Sequence, residues 1–352
     1  MSLAVSGCSG KALLPSGVIE PTIVPSSNLR GSETAEREFS FEDDRTLLRV
    51  PIDRAVYAGA VGAPKSAVLI GDVAPSVWVP LYYRAFIDER HQESFYAAAL
   101  EALHTVRHDE GLDQSRYVEL VTSMVQEMEY RVDPVNLAPK FPVETFLDGY
   151  GDCDDKTLLA AALLARDGYD VSILLFESEK HVALGIRAPG LDYKGTGYAY
   201  VELTRPLLVG VPPDDLSGGS RLTSQPDVIR IGTGTLTYAA ADQIQYIQRR
   251  MTEMRSAMKR READIAAEQA YLDSQRASLD AERRSVEALT DPQASAAAVR
   301  SFNEKVAQYN GRLERLDGLI SEFNALVDAE RYAAAHQTAR TQIYERMQAL
   351  RL

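Results

Sequence analysis

Two residues of this chain combine a reactive side chain with a setting that could support catalysis, Cys153 and His181. Cys153 follows Gly151 and Asp152 and precedes a run of leucines and alanines, which predicts a helix that starts at the cysteine and is capped by Asp152. The positive end of a helix lowers the pKa of a thiol, but the aspartates on both sides of Cys153 oppose that effect. A second positive charge is therefore needed, and a protonated histidine is its usual source.

His181 is predicted to supply that charge. It lies between two strand-like segments, 171–176 and 182–186, and the edge of a strand holds a side chain rigidly enough for a general base. A further strand-like segment, 197–204, would place Glu202 near the imidazole's other nitrogen if it pairs antiparallel with the strand of His181. A carboxylate in that position fixes the tautomer and favours imidazolium, which completes a set of nucleophile, base and orienting group.

The segments around these residues resemble the core of a known family. In chain order they are residues 125–133, residues 142–145, residues 151–155, the strand that begins at His181, and residues 200–204. Together they are similar to the transglutaminase-like cysteine hydrolases of the papain-like type, and most of all to the extracytoplasmic members from archaea and bacteria. The resemblance covers roughly residues 39–235 and implies an α+β fold in which a helix packs on an antiparallel sheet.

On this chain the resemblance implies acyl transfer through a thioester, with Cys153 as nucleophile, His181 as base and then acid, and Glu202 as the orienting carboxylate. Glu202 stands where many family members have aspartate. The backbone N–H of Cys153 is the expected first donor to the oxyanion. Gln126 is a candidate side-chain donor by analogy with papain-like sites, and a solvent-facing glutamine is an equally good interpretation.

Blander interpretations of the same residues are open at this stage. A lone buried cysteine is usually an inert small apolar side chain, and His181 could be a hydrogen-bonded strand histidine. The aspartates around Cys153 lack the alternating ligands and central glycine of a calcium loop, and the histidines are too scattered for a structural zinc site. The sequence therefore predicts no metal and no other cofactor.

The first residues suggest an anchor followed by a tether. The tetrapeptide VSGC that ends at Cys8 resembles a lipobox, in which the cysteine is lipidated after a signal peptide is removed. The residues before Cys8 are too few and carry no basic charge, so either the start is truncated or the match is a coincidence. Residues 9–38 are rich in Ser, Gly and Pro, which favours a flexible linker over an ordinary frayed terminus. Residues 1–38 are thus expected to form a lipobox-like segment and linker.

The next part, residues 39–235, is the expected transglutaminase-like domain. Extended runs broken by Gly and Pro predict strands ahead of two amphipathic helices. The predicted strands lie near 47–52, 56–61 and 66–71, and the predicted helices near 95–103 and 118–128.

The last third, residues 236–352, has a heptad pattern. Apolar residues recur every seven positions from Ile244 to Val286, and a second stripe runs from Val299 to Val327 after a break at Pro292. This pattern predicts a long antiparallel α-helical coiled-coil hairpin. Several intervening positions of the first arm are polar, so the hairpin is also a candidate surface for a protein partner or for self-association.

The overall composition limits the classes of partner. The chain has 352 residues, and 38 Lys+Arg against 51 Asp+Glu give a net charge of −13. Such an acidic balance disfavours nucleic acid, because phosphate binding needs a basic face. No segment is apolar enough to span a bilayer, so membrane contact is expected only through a lipid anchor at Cys8.

The predicted function is that of a cell-surface, lipid-anchored cysteine hydrolase or peptidase that acts on an amide bond of a protein or peptide. Hydrolysis and transamidation share the thioester and differ only in whether water or an amine resolves it, so the sequence does not separate them. One alternative is a catalytically silent envelope scaffold that uses the hairpin for assembly. Another is a cytoplasmic protein with an accidental lipobox.

Overall fold

The structure is a computed structural model that describes residues 17–135, 137–216 and 219–351. The chain divides into two compact units, of which the first ends at Asp242 and the second begins at Gln243. The class is α+β, as predicted: the first unit combines helices with small, mainly antiparallel sheets, and the second is built on two long helices. The closer likeness to a transglutaminase-like core stays a prediction.

The strands and helices are numbered here in chain order. The strands are β1 (Gly17–Ile19), β2 (Ser32–Phe41), β3 (Asp44–Asp53), β4 (Val68–Ile70), β5 (Glu129–Tyr130), β6 (Tyr150–Gly151), β7 (Val171–Phe176), β8 (His181–Ile186), β9 (Ala199–Val201) and β10 (Asp227–Arg230). The helices are α1 (Arg54–Val61), α2 (Pro75–Asp88), α3 (Glu93–Asp109), α4 (Gln114–Glu127), α5 (Pro142–Asp148), α6 (Cys153–Arg166), α7 (Ala241–Glu287), α8 (Pro292–Ala335) and α9 (Arg340–Ala349).

Helix α6 is buried within the first unit. The side chain of Asp152 accepts the backbone N–H groups of Asp154 and Asp155, and Asp155 accepts the N–H of Asp152, so a capping box fixes the start of the helix. The residues from Asp155 to Leu164 are all buried. A Cβ on Gly151 would lie 2.5 Å from the Cβ of Asp155, and glycine is therefore required before the cap.

A four-stranded antiparallel sheet packs against α6 in the order β10-β7-β8-β9. Strands β7 and β8 are buried almost throughout, which explains their nearly continuous apolar sequence. The register pairs His181 with Phe176 of β7 and Leu184 with Val201 of β9. The sheet thus brings the start of β8 close to the end of β9.

Helix α4 places a third segment at the same point. Asp113 caps it, and residues 117–126 are buried. The chain continues directly into β5, which pairs in parallel with β6, the two residues just before Asp152. The end of α4 is therefore held beside the start of α6.

In the second unit, α7 and α8 run antiparallel. Ion pairs between the two helices show this direction, because the residue number on α8 falls as the residue number on α7 rises. These pairs are Arg255–Glu330, Arg261–Glu322, Glu268–Arg312 and Glu282–Lys305. Buried apolar residues of these two helices include Met254, Ala257 and Leu272 of α7 and Leu326, Ala329 and Ala333 of α8. Further along, the two helices are tied by polar contacts such as Lys305 to Glu282 at 2.7 Å.

The expectation of a flexible linker is wrong for residues 17–38, the part of it that the structure describes. Strand β1 pairs with β4 and β2 pairs with β3, so residues 17–38 contribute to the folded first unit. The physical reason lies in alternation within β2, where Ala35, Phe39 and Phe41 are buried on one face while their neighbours face outward.

Two further expectations differ from the structure. Residues 56–61 belong to α1 rather than to a strand, because Asp53 caps the segment by accepting two backbone N–H groups. The first unit also extends past residue 235 to Asp242. Leu236 exchanges backbone hydrogen bonds with the turn at Gly168 and Asp170, and Tyr238 is fully buried, which holds this segment to the first unit.

Candidate active site

Cys153 is the first residue of α6, with 9% of its surface exposed. Its thiol lies 3.5 Å from Oδ1 of Asp154, to which it donates. The backbone of Val182, the second residue of β8, is close enough to the sulfur to lower the pKa of the thiol. The nucleophile expected from the sequence is therefore held between the start of a helix and the start of a strand.

The electrostatic surroundings of the thiol differ from the expectation. Burial, followed by the charges of Asp154 and Asp152, raises the pKa of Cys153, and the Val182 backbone lowers it by less. The thiol is thus protonated in this resting arrangement, whereas the sequence predicts an anion paired with a protonated His181. The helix start is present, but desolvation and two neighbouring carboxylates outweigh it.

His181 is buried, and its Nε2 faces β9. This nitrogen lies 3.0 Å from the hydroxyl of Tyr200 and 3.5 Å from Oε2 of Glu202. Continuing the observed register places Glu202 opposite Ala183, on the same face of the sheet as His181. The carboxylate therefore lies beside one imidazole nitrogen, as the sequence predicts.

Glu202 follows β9 directly and is 1% exposed. Its Oε1 accepts the N–H groups of Leu203 and Thr204 at 3.1 and 2.8 Å and the Thr204 hydroxyl at 2.6 Å, while Oε2 accepts the Tyr200 hydroxyl at 2.7 Å. Burial alone would raise the pKa of Glu202, but His181 at 3.5 Å and the hydrogen bonds from Thr204 and Tyr200 lower it to about 2. Glu202 is consequently ionised and fixed in place.

Gln126 does not present a free donor to the site. Its Nε2 donates to the backbone carbonyls of Glu202 at 2.7 Å and of Leu207 at 2.9 Å, which uses both N–H groups. The residue is 3% exposed, so the solvent-facing interpretation is also wrong. Gln126 braces the segment that carries Glu202, and the oxyanion role expected for it does not fit this arrangement.

Lys156 is a site residue that the sequence analysis missed. It is fully buried, and its Nζ donates to the carbonyls of Gln126 at 3.2 Å and Met128 at 2.8 Å, at the end of α4. Burial lowers the pKa of Lys156 to about 8, although the charge of Glu202 favours its protonated form. The sequence could have identified Lys156 from its position, because three residues after Cys153 is about one helical turn and places both side chains on one face of α6.

Tyrosines surround the group, and none of them was singled out from the sequence. The Tyr83 hydroxyl donates to Oδ2 of Asp154 at 3.2 Å. Tyr130 of β5 is partly exposed, and desolvation of its hydroxyl raises its pKa to about 12. Aromatic residues scattered over helices and strands carry no spacing pattern that would have identified them.

The donor atoms of Asp152, Cys153 and Asp154 lie within 4.8 Å of one another and are the group best placed to hold a cation. The carboxylate oxygens of this group already accept hydrogen bonds. Asp152 accepts two helix N–H groups, and the oxygens of Asp154 accept the thiol and the Tyr83 hydroxyl. Within the described residues this arrangement is explained by capping and hydrogen bonding.

Two predictions concern the chain beyond this site. Cys8, the candidate for lipidation, lies outside the described residues. Across those residues, helices that are long enough to cross a membrane are not apolar enough to do so.

Comparison of the chain with protein-family models, with curated proteins and with solved structures gives no match, so its assignment depends on the geometry above.

Proposed function

We propose that the first unit is a transglutaminase-like cysteine hydrolase that acts on an amide bond through a thioester on Cys153. One observation carries the proposal: His181, at the start of β8, lies 3.5 Å from ionised Glu202, and the backbone of the next residue, Val182, is close enough to Cys153 to lower the pKa of its thiol. Nucleophile, base and orienting carboxylate thus come from a helix start and two neighbouring strands. The reaction class uses a nucleophile, a base that takes its proton and a carboxylate that orients the base.

The raised pKa of Cys153 favours a general-base route over a stored thiolate. His181 takes the thiol proton as the sulfur bonds to the carbonyl carbon, and the carbonyl electron pair moves to oxygen. The backbone N–H of Cys153 is the donor we assign to that oxyanion. Collapse breaks the C–N bond, and His181 returns the proton to the leaving amine.

The thioester is then resolved. Water attacks its carbonyl carbon while His181 removes the water proton, and as the C–S bond breaks His181 returns that proton to the sulfur, which restores the thiol and releases a carboxylic acid. An amine in place of water gives a new amide instead. Glu202 stays ionised throughout and stabilises the imidazolium that forms in each half of the reaction.

A second candidate function has its own support. The thiol donates to Asp154, and the pKa of Cys153 is raised, as in an inert buried cysteine. These features favour a catalytically silent module, in which the same contacts stabilise the fold and the second unit serves for assembly.

Labelling with a peptide chloromethyl ketone separates the two candidates. The Cys8→Ser variant leaves Cys153 as the single thiol of the chain, since the sequence has two cysteines. An enzyme should alkylate at Cys153 at least about tenfold faster at pH 7 than N-acetylcysteine does, because a base assists attack. Labelling no faster than that of the free thiol, in protein whose fold is intact by circular dichroism, would favour the silent module.

Location and partners are proposed on sequence grounds. A lipid on Cys8 would anchor the protein outside the cytoplasm, and the substrate would be a protein or peptide there. Detergent-phase partitioning of the native full-length product, compared with its Cys8→Ala variant, tests the anchor. The second unit is the proposed surface for a protein partner or a second copy, which analytical ultracentrifugation of the full chain would detect.

A further inference from the structure

Tyr200 lies between the base and the carboxylate of the candidate site. It precedes Glu202 by two positions, so both side chains project from the same face of the sheet as His181. Its hydroxyl is 3.0 Å from Nε2 of His181 and 2.7 Å from Oε2 of Glu202. The direct separation of Nε2 and Oε2 is 3.5 Å, which is long for a hydrogen bond.

The direction of these hydrogen bonds follows from the chemistry of the three groups. An ionised carboxylate only accepts, so the single hydroxyl proton of Tyr200 goes to Glu202. The tyrosine oxygen must then accept from His181, which requires a proton on Nε2. Neutral imidazole with hydrogen on Nε2 carries its basic lone pair on Nδ1.

The hydroxyl has little freedom to turn elsewhere. Tyr200 is 1% exposed, and its ring packs against Tyr193 and Phe176, with centroids 5.1 and 6.2 Å away. Burial and the charge of Glu202 raise the pKa of Tyr200, so it stays protonated.

We propose that Tyr200 is a positioning residue of this site, whose hydroxyl holds Nε2–H of His181 and leaves Nδ1 as the nitrogen that takes the thiol proton. The part of this inference that concerns the thiol rests on the proposed function. The tautomer itself is independent of any activity.

Nitrogen-15 NMR of histidine-labelled full-length protein tests the tautomer directly. The chain has five histidines, and a His181→Gln variant identifies the resonances of interest. At a pH where the ring is neutral, the wild type should show a protonated Nε2 and an unprotonated Nδ1. Tyr200→Phe keeps the ring and removes only the hydroxyl, and should give a mixture of tautomers or the opposite one.

Tyr193→Phe is the matched control, because it removes a hydroxyl from the ring that packs on Tyr200. It should leave the His181 spectrum and the labelling of Cys153 unchanged. Tyr200→Phe should slow chloromethyl ketone labelling by about ten- to a hundredfold, the range expected when a hydrogen bond in a charged network is lost. The charge of Asp154 on α6 also interacts with that of His181, so all three proteins are compared at one pH.

The outcomes separate this inference from the proposed function. A wild-type tautomer with hydrogen on Nδ1, or a Tyr200→Phe spectrum identical to the wild type, would overturn it. The expected tautomers together with an unreactive wild-type Cys153 would refute the enzyme and leave the assigned hydrogen-bond direction supported. Melting curves of both phenylalanine variants exclude unfolding as the cause of a change.

Discussion

Replacing Asp154 by asparagine should make Cys153 more reactive above about pH 6. The carboxylate accepts the thiol's hydrogen bond at 3.5 Å, and its negative charge opposes formation of a second one on sulfur. Asparagine keeps the shape and the acceptor oxygen but removes the charge. The perturbation therefore isolates the electrostatic contribution of this residue.

The size of the effect follows from the distance. A full charge 3.5 Å from the sulfur corresponds to about 4.7 kcal/mol at an effective dielectric constant of ~20, or ~3.5 pKa units. Relaxation and water reduce this, so the thiol pKa should drop by about 1–3 units. A less basic thiolate is also a weaker nucleophile, and the net gain in rate at fixed pH should be about 3- to 30-fold.

The assay is the rate of iodoacetamide alkylation between pH 5 and 10 in the Cys8→Ser background. Burial and the charge of Asp152 raise the pKa of Asp154 to about 6, so wild-type Asp154 becomes neutral below that pH. The two rate curves should therefore converge below pH 6 and separate above it. Asp109→Asn is the matched control, since it removes an exposed carboxylate from the end of α3.

Equal rates for wild type and Asp154→Asn across the whole range would refute this reasoning. A gain of the same size in Asp109→Asn would refute it as well, because it would indicate a general effect of net charge.

Three further predictions concern stability. The pKa of Glu202 is lowered from 4.5 to about 2, so its ionised form contributes about 3 kcal/mol to the free energy of unfolding above pH 4.5, and this contribution is lost as the pH falls toward 2. Urea titrations followed by Trp78 fluorescence should therefore show that the difference in unfolding free energy between wild type and Glu202→Gln becomes smaller from pH 6 to pH 3. The pKa of Lys156 is lowered from 10.5 to about 8, so the free energy of unfolding of the wild type should rise relative to that of Lys156→Met as the pH rises from 8 to 9.5. A difference in unfolding free energy that stays constant over this range would contradict the prediction. Glu268 is buried between α7 and α8 and pairs with Arg312 at 3.1 Å, so Glu268→Ala should destabilise the second unit by about 1–2 kcal/mol in helix melts, whereas Glu262→Ala at an exposed position should not.

The local parts of the site could be predicted from the sequence. Glycine and aspartate before Cys153 indicate a capped helix start, and the apolar runs on both sides of residue 181 indicate β7 and β8. The proximity of Glu202 to His181 required only an antiparallel β9. These features depend on short-range signals, which a single sequence contains.

The remaining parts depend on which segments pack together. Gln126 and Lys156 bond to carbonyls far away in the sequence, and the Tyr200 hydroxyl acquires its role only through the β8–β9 register. The raised pKa of Cys153 results from burial and from three-dimensional charge, which spacing along the chain does not give. Likewise, the local apolar pattern of residues 56–61 predicted a strand. The Asp53 cap and the packing of this segment outweigh that pattern and make it part of α1.

The dependence of Cys153 reactivity on His181 tests the central claim most directly. Peptide chloromethyl ketone labelling at pH 7 is compared for Cys8→Ser protein, the same protein with His181→Ala, and the same protein with His104→Ala, which changes a half-exposed histidine paired with Asp167. If His181 is the base, its loss should slow labelling by about 100-fold or more, while the His104 variant keeps the parent rate. A folded His181→Ala protein that labels Cys153 as fast as its parent would contradict the account.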